Sequence, residues 1–92
     1  MTNLAEDASE RARRYIATLE KNLQEHSPLK DSASVDAANI AAVSDTIHRY
    51  LQDSQFYLDN GKPTTSLASI AYAEGLLDAL KFLNLTRTTE AK

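Results

Sequence analysis

The stretch Tyr50-Leu51-Gln52-Asp53-Ser54-Gln55-Phe56-Tyr57-Leu58-Asp59-Asn60-Gly61-Lys62-Pro63-Thr64-Thr65-Ser66-Leu67 decides the fold. In its first half, Tyr50, Leu51, Ser54 and Leu58 recur at spacings of three and four, the period of one helical seam. At its centre, Asn60-Gly61-Lys62-Pro63 is a stop. Glycine accepts the left-handed conformation that follows a helix, and a proline just beyond cannot continue that helix. Thr64 or Thr65 is then placed to cap a new helix. With a connection of only about four residues, the two helices must lie antiparallel.

Upstream, the seam continues through Val43, Ile47 and Ile40, so helix 2 is expected over about 34–60. At ~1.5 Å per residue it is about 40 Å long. Downstream, Leu67, Ile70, Ala71, Ala73, Leu76, Leu77, Leu80 and Leu83 carry helix 3 over about 64–84, with Tyr72, Ala79 and Phe82 alongside. So wide an apolar arc belongs to a helix that is central in the packing or covered by another chain. Near the start, Ala5, Ala8, Ala12, Ile16, Leu19 and Leu23 form one stripe, giving helix 1 over about 3–26. Asn3 is its expected cap, with Glu6 three residues on. Ser27-Pro28 ends it, because the residue before proline is pushed out of α geometry. The tail 86–92 has no apolar residue larger than alanine and is expected to fray. The reading is therefore all-α: one domain over 1–92, a three-helix antiparallel bundle whose helix 2–helix 3 hairpin is closed by helix 1.

Composition narrows the function classes. The chain has 92 residues, a net charge of −3, no cysteine, two glycines and two prolines. So few turn residues suit long helices better than a sheet. A chain without a basic surplus is not an expected nucleic-acid partner. Lack of cysteine excludes disulfides and thiolate metal sites. No apolar run nears the roughly 20 residues that span a bilayer, and no basic start precedes an apolar stretch, so no membrane role and a cytoplasmic location are expected. No nucleophile–base triad or glycine-rich phosphate loop can be assembled. Neither catalytic residues nor cofactors are expected.

One segment is unusual. Gly75 interrupts a strong helix, at a cost of about 1 kcal/mol relative to alanine. It signals close approach, either of helix 1, whose stripe is rich in alanine, or of a bound group. Glu74 and Asp78 are four apart on one face. Folding the hairpin about Gly61 brings Tyr50 toward Glu74 and Asp53 toward Ala71 or Tyr72. Tyr50, Asp53, Tyr72, Glu74, Gly75 and Asp78 thus form a candidate neighbourhood. It reads either as a small-ligand or cation site, or as a tyrosine–carboxylate network that fixes helix register. Asp45 and His48 have a spacing that could face one metal ion. Carboxylate-bridged bundles need two such motifs and further glutamates, so no metal site is expected.

The pattern Tyr50-x-x-Asp53-x-x-Phe56-Tyr57-Leu58-x-x-Gly61, followed by Ser66-Leu67-Ala68-x-x-Ala71-Tyr72-Ala73-Glu74-Gly75-Leu76-Leu77-Asp78-Ala79-Leu80, resembles the archaeal family known as domain of unknown function 357. Arg11-Ala12-Arg13-Arg14-Tyr15-Ile16 is similar to that family's opening. The resemblance implies an archaeal source and a short helical bundle. It also implies that such segments occur attached to nucleotidyltransferase-like domains in some longer proteins. It supplies no activity. Where the family has a glycine after the last leucines, this chain has Asn84. The expectation is a non-enzymatic helical interaction module, accessory to a nucleotide- or RNA-processing enzyme, with a protein partner or a second copy as its target. The alternative is a small-ligand or cation-binding bundle.

Overall fold

Two residues with left-handed backbone, Gly61 (φ 74°) and Asn84 (φ 59°), end two of the three helices. The computed structural model describes residues 4–88, with side chains from residue 7 onward. Helices α1 (Leu4–Glu25), α2 (Ala37–Asp59) and α3 (Pro63–Phe82) are accompanied by two short strands, β1 (His26–Pro28) between α1 and α2 and β2 (Thr86–Thr88) after α3. The all-α bundle and its hairpin agree with the sequence reading. The expected cap at Asn3 with Glu6, and the start of the stripe at Ala5, lie outside the described side chains.

At both helix ends the chain closes in the same way. After α2, the Gly61 N–H donates to the Leu58 carbonyl (3.2 Å) and Lys62 N–H to the Tyr57 carbonyl (2.8 Å). After α3, Asn84 N–H donates to the Lys81 carbonyl (3.0 Å) and Leu85 N–H to the Leu80 carbonyl (2.8 Å). Each pair is a Schellman closure, which satisfies carbonyls that the helix itself cannot. Asparagine takes the second left-handed position, as it does more readily than other side chains. The closure turns Leu85 back into the core beside Leu80, both 3% exposed.

Three boundaries differ from expectation. α2 starts at Ala37, not near Ser34, since the Ser34 N–H is taken by the Ser32 hydroxyl at 3.1 Å. Such local bonds compete with helix formation. α3 starts at Pro63, and Lys62, not a threonine, occupies the cap position. Proline suits the first helical position, where its missing N–H would be unpaired anyway. The third difference is in the tail. Thr86–Thr88 pair antiparallel with His26–Pro28, and Leu29 N–H donates to the Leu85 carbonyl at 2.9 Å, while the rest of the tail, 89–92, lies outside the described residues. The anchor is the buried Leu85, which brings the following residues alongside the end of α1.

α3 is the middle of the molecule. It packs against both α2 and α1, which touch each other far less. Ile16 and Leu19 from α1, Ile40, Ile47 and Leu51 from α2, and Ile70, Ala73, Leu77 and Leu80 from α3 form one buried cluster. Its members recur every three or four residues, the spacing that aims them at a common interior.

Candidate functional site

Helix geometry decides how the six candidate residues are arranged. Successive residues of an α-helix turn by about 100°, so positions two apart do not face each other. Ala73 is wholly buried. Tyr72 and Glu74 therefore stand on opposite flanks of α3, with the buried alanine between them. The single neighbourhood expected from the hairpin register is split.

On one flank, the rings of Tyr50 and Tyr72 meet edge to face, with centroids 4.6 Å apart. This contact sets the register: Tyr50 lies on Tyr72, not beside Glu74. Asp53, half-buried, stands one turn nearer the hairpin on the Tyr50 side of α2. Below it the hairpin narrows. The buried Ser66 hydroxyl donates to the Ser54 carbonyl (2.7 Å), and the buried Ser54 hydroxyl donates to the Leu51 carbonyl (2.7 Å). Serine is small enough to let the two backbones approach and polar enough to bond across the gap. Ser54 stood in the sequence seam; Ser66 lies in the quoted family pattern but its role depends on a cross-helix bond that spacing does not reveal.

On the other flank, Glu74 is half-buried. Burial pushes its carboxyl above the usual glutamate range, and the neighbouring Asp78 charge adds to the rise. Among the described residues, no group of three His, Asp or Glu side chains is placed to hold a metal ion. His48 turns back on its own helix, its Nδ1 2.9 Å from the Ser44 carbonyl.

Gly75 meets neither expectation for it. A Cβ built there would have no neighbour within 4 Å, so α1 does not cross at this point and no cleft wall stands over it. The glycine lies on the outward side of α3 with Ala68, Ala71, Asp78 and Ala79, all exposed. Tyr72 borders this strip at 50% exposure, and Phe82 and Leu83 end it at 81% and 63%. The apolar excess in helix 3 was visible in the sequence. That it gathers around Gly75, at the positions Ala71, Gly75 and Ala79 four apart, was not.

Two open clefts flank the β1 corner, away from the six candidates. One of about 330 Å³ is lined by Ser27, Pro28, Leu29, Lys30, Asp31 and Arg87. The other, of about 260 Å³, runs between Pro28–Lys30 and Ala41, Ser44 and Asp45. Among the described residues, no helix is long and apolar enough to cross a membrane.

The chain belongs to the family described as "Protein of unknown function (DUF357)", whose model matches residues 14–86. No curated protein and no solved structure matches it.

Proposed function

We propose that this chain is a non-enzymatic helical interaction module, and that it engages a protein partner through the outward face of α3. One observation carries the reading. Among the described residues, the central helix keeps an apolar face that no other element covers, with Phe82 81% exposed, opposite the side that enters the buried cluster. A glycine at the middle of that face costs about 1 kcal/mol of helix stability. Its backbone is not left-handed, and among the described residues no other element approaches it. Both usual internal reasons for a helical glycine are thus missing, and an external helix or strand lying close to α3 supplies one. The family resemblance implies that similar segments occur beside nucleotidyltransferase-like domains, and on that basis a nucleotide- or RNA-processing enzyme of the cytoplasm is the class of protein such a module would assist. The rival ligand or cation site has less support, because its six residues divide between two flanks and one exposed face.

The test is site-specific photo-cross-linking in the native host. A photoreactive side chain at Ala71 or Phe82 is expected to give discrete protein adducts, at least about fivefold above the same group at exposed Gln52 on α2. Equal, diffuse labelling at all three positions would remove the reading.

A further inference from the structure

We propose that the cleft beside the β1–β2 ribbon binds a small phosphomonoester. The proposal is independent of the interaction-module reading and uses none of the residues on the α3 face. Strand register carries it. Ser27 is the direct partner of Arg87 across the ribbon. Direct partners put their side chains on one face, with Cβ atoms about 4.5–5.5 Å apart. Both residues line the cleft of about 330 Å³, and Lys30 lines it from the loop that follows β1. A hydroxyl, a guanidinium and an ammonium group are thus brought to one opening.

The donor set selects the ligand. Arg87 offers a planar fork that matches two phosphate oxygens, Lys30 a mobile point charge and Ser27 a neutral donor. Asp31 is the one acid on the lining. Two cations against one carboxylate leave a local positive surplus in a chain whose net charge is −3. Pro28 and Leu29, both half-buried, line the same opening, so an organic group carried by the phosphate would meet apolar surface. The volume is at the lower end of the roughly 300–1,000 Å³ of small-molecule sites.

An internal use for the two cations is to offset the dipoles of α1 and α3, which both end near this corner. That effect fades within the last turn of a helix. Lys30 stands five residues beyond Glu25, the end of α1, and Arg87 five beyond Phe82, the end of α3. α3 also has its own base, Lys81, in its last turn. Nor does the ribbon repay its formation in packing. Two short strands alone are marginal in water, and β2 brings only Thr86, Arg87 and Thr88, none of them apolar. What the Asn84 reversal and the buried Leu85 achieve is to carry Arg87 back to the far end of α1, opposite Ser27.

An amide-resolved NMR titration of the full chain tests the site, with inorganic phosphate and phenyl phosphate as probes. Chloride and acetate at equal ionic strength are the controls. Both phosphates should shift the Ser27, Lys30 and Arg87 amides along saturable curves, and the controls should not. Phenyl phosphate should bind at least about threefold more tightly, because its ring covers apolar surface at Pro28 and Leu29. Arg87→Gln and Lys30→Gln should each weaken binding about three- to tenfold, the loss of one charged hydrogen bond in a solvated site. Asp31→Asn removes a like charge and should tighten it about twofold, whereas Arg14→Gln on the exposed face of α1 should change nothing. The Leu29 amide, bonded to the Leu85 carbonyl, reports by its exchange rate whether the ribbon stays closed. Should Arg87→Gln open it, Lys30→Gln and Asp31→Asn, both in the loop, decide. Phosphate shifts that do not saturate, shifts that acetate reproduces, or weaker binding by Asp31→Asn overturn the proposal. Arg14→Gln weakening binding as much as Lys30→Gln overturns the placement at this cleft. Phenyl phosphate binding no more tightly than inorganic phosphate overturns the assignment to a monoester. None of these outcomes bears on the α3 face.

Discussion

α3 carries small residues on two sides, and the two sets have opposite surroundings. On the inner side, Ser66 and Ala73 are wholly buried. Their size is used: Ser66 lets α2 come close enough for a 2.7 Å bond to the Ser54 carbonyl, and Ala73 makes room for core side chains from the other helices. On the outer side, Ala71, Gly75 and Ala79 are exposed, and their size is used by nothing among the described residues. A small residue in a helix reports a close approach only when something approaches. Where nothing does, a glycine costs helix stability and an alanine leaves bare surface, which is what supports the proposed interaction-module reading.

The same substitution on the two sides tests this contrast most strongly. Ala73→Leu inserts three carbons into a filled space, and overpacking of that kind costs about 1–3 kcal/mol. For a domain of this size that lowers Tm by roughly 4–8 °C per kcal/mol. Ala71→Leu, two residues away, enters open solvent and should stay within about 0.5 kcal/mol of the parent. Thermal unfolding measures both. Equal losses at the two positions would mean that the outer side is not free.

The glycines give the next largest effect, with opposite signs. Beyond its chain neighbours and its own helix backbone, neither Gly61 nor Gly75 has a described atom within 4 Å of the place where a Cβ would go. Space therefore does not decide the outcome; backbone conformation does. Gly75→Ala should stabilise the monomer by about 1 kcal/mol, the ordinary helical difference between the two residues. Gly61→Ala puts a side chain at φ 74°, where an L-residue loses roughly 1–2 kcal/mol. Denaturant titration of the two variants should move the midpoint in opposite directions. A Gly75→Ala variant less stable than the parent would show that something in the chain does rest on that glycine.

What could be read in advance follows from the range of each signal. Helix existence and the hairpin are local: the seam from Ile40 to Leu58 and the stop at Gly61 act within one or two turns, and both stand in the structure. The ribbon was missed because no local signal marks it. Thr86-Arg87-Thr88 looks like a polar tail, and only the Asn84 reversal and the burial of Leu85, set by distant helices, lay it beside His26–Pro28. The candidate site was half legible for the same reason. Spacing alone grouped Glu74 with Asp78, whereas joining them to Tyr50 assumed a register two residues from the true one. The Tyr50–Tyr72 contact corrects it and shows that Glu74 faces elsewhere. A residue-by-residue angle around α3 would have separated Tyr72 from Glu74 without any structure.

Glu74 stands at the edge between the two sides of α3, and its titration gives the smallest of these effects. Burial first, and the Asp78 charge second, raise its pKa above the ordinary value near 4.5. The folded chain thus holds this proton more tightly than the unfolded chain does. Its contribution to stability is complete below the unfolded pKa and is lost as pH rises through the raised folded value. Glu74 and Asp78 stand four residues apart on one helix, and a like-charge pair at that spacing costs about 0.2–0.5 kcal/mol. Glu74→Gln should therefore raise Tm slightly at pH 7 and leave it unchanged at about pH 3, where the parent side chain is already neutral. Asp78→Asn removes only the charge part of the effect, not the burial part, and should gain less. Melting curves across that pH range separate the two. A Glu74→Gln variant that is destabilised at pH 7 would mean the carboxylate has a favourable partner when charged. That would return the acidic flank of α3 to consideration as a cation site, the reading its geometry now supports least.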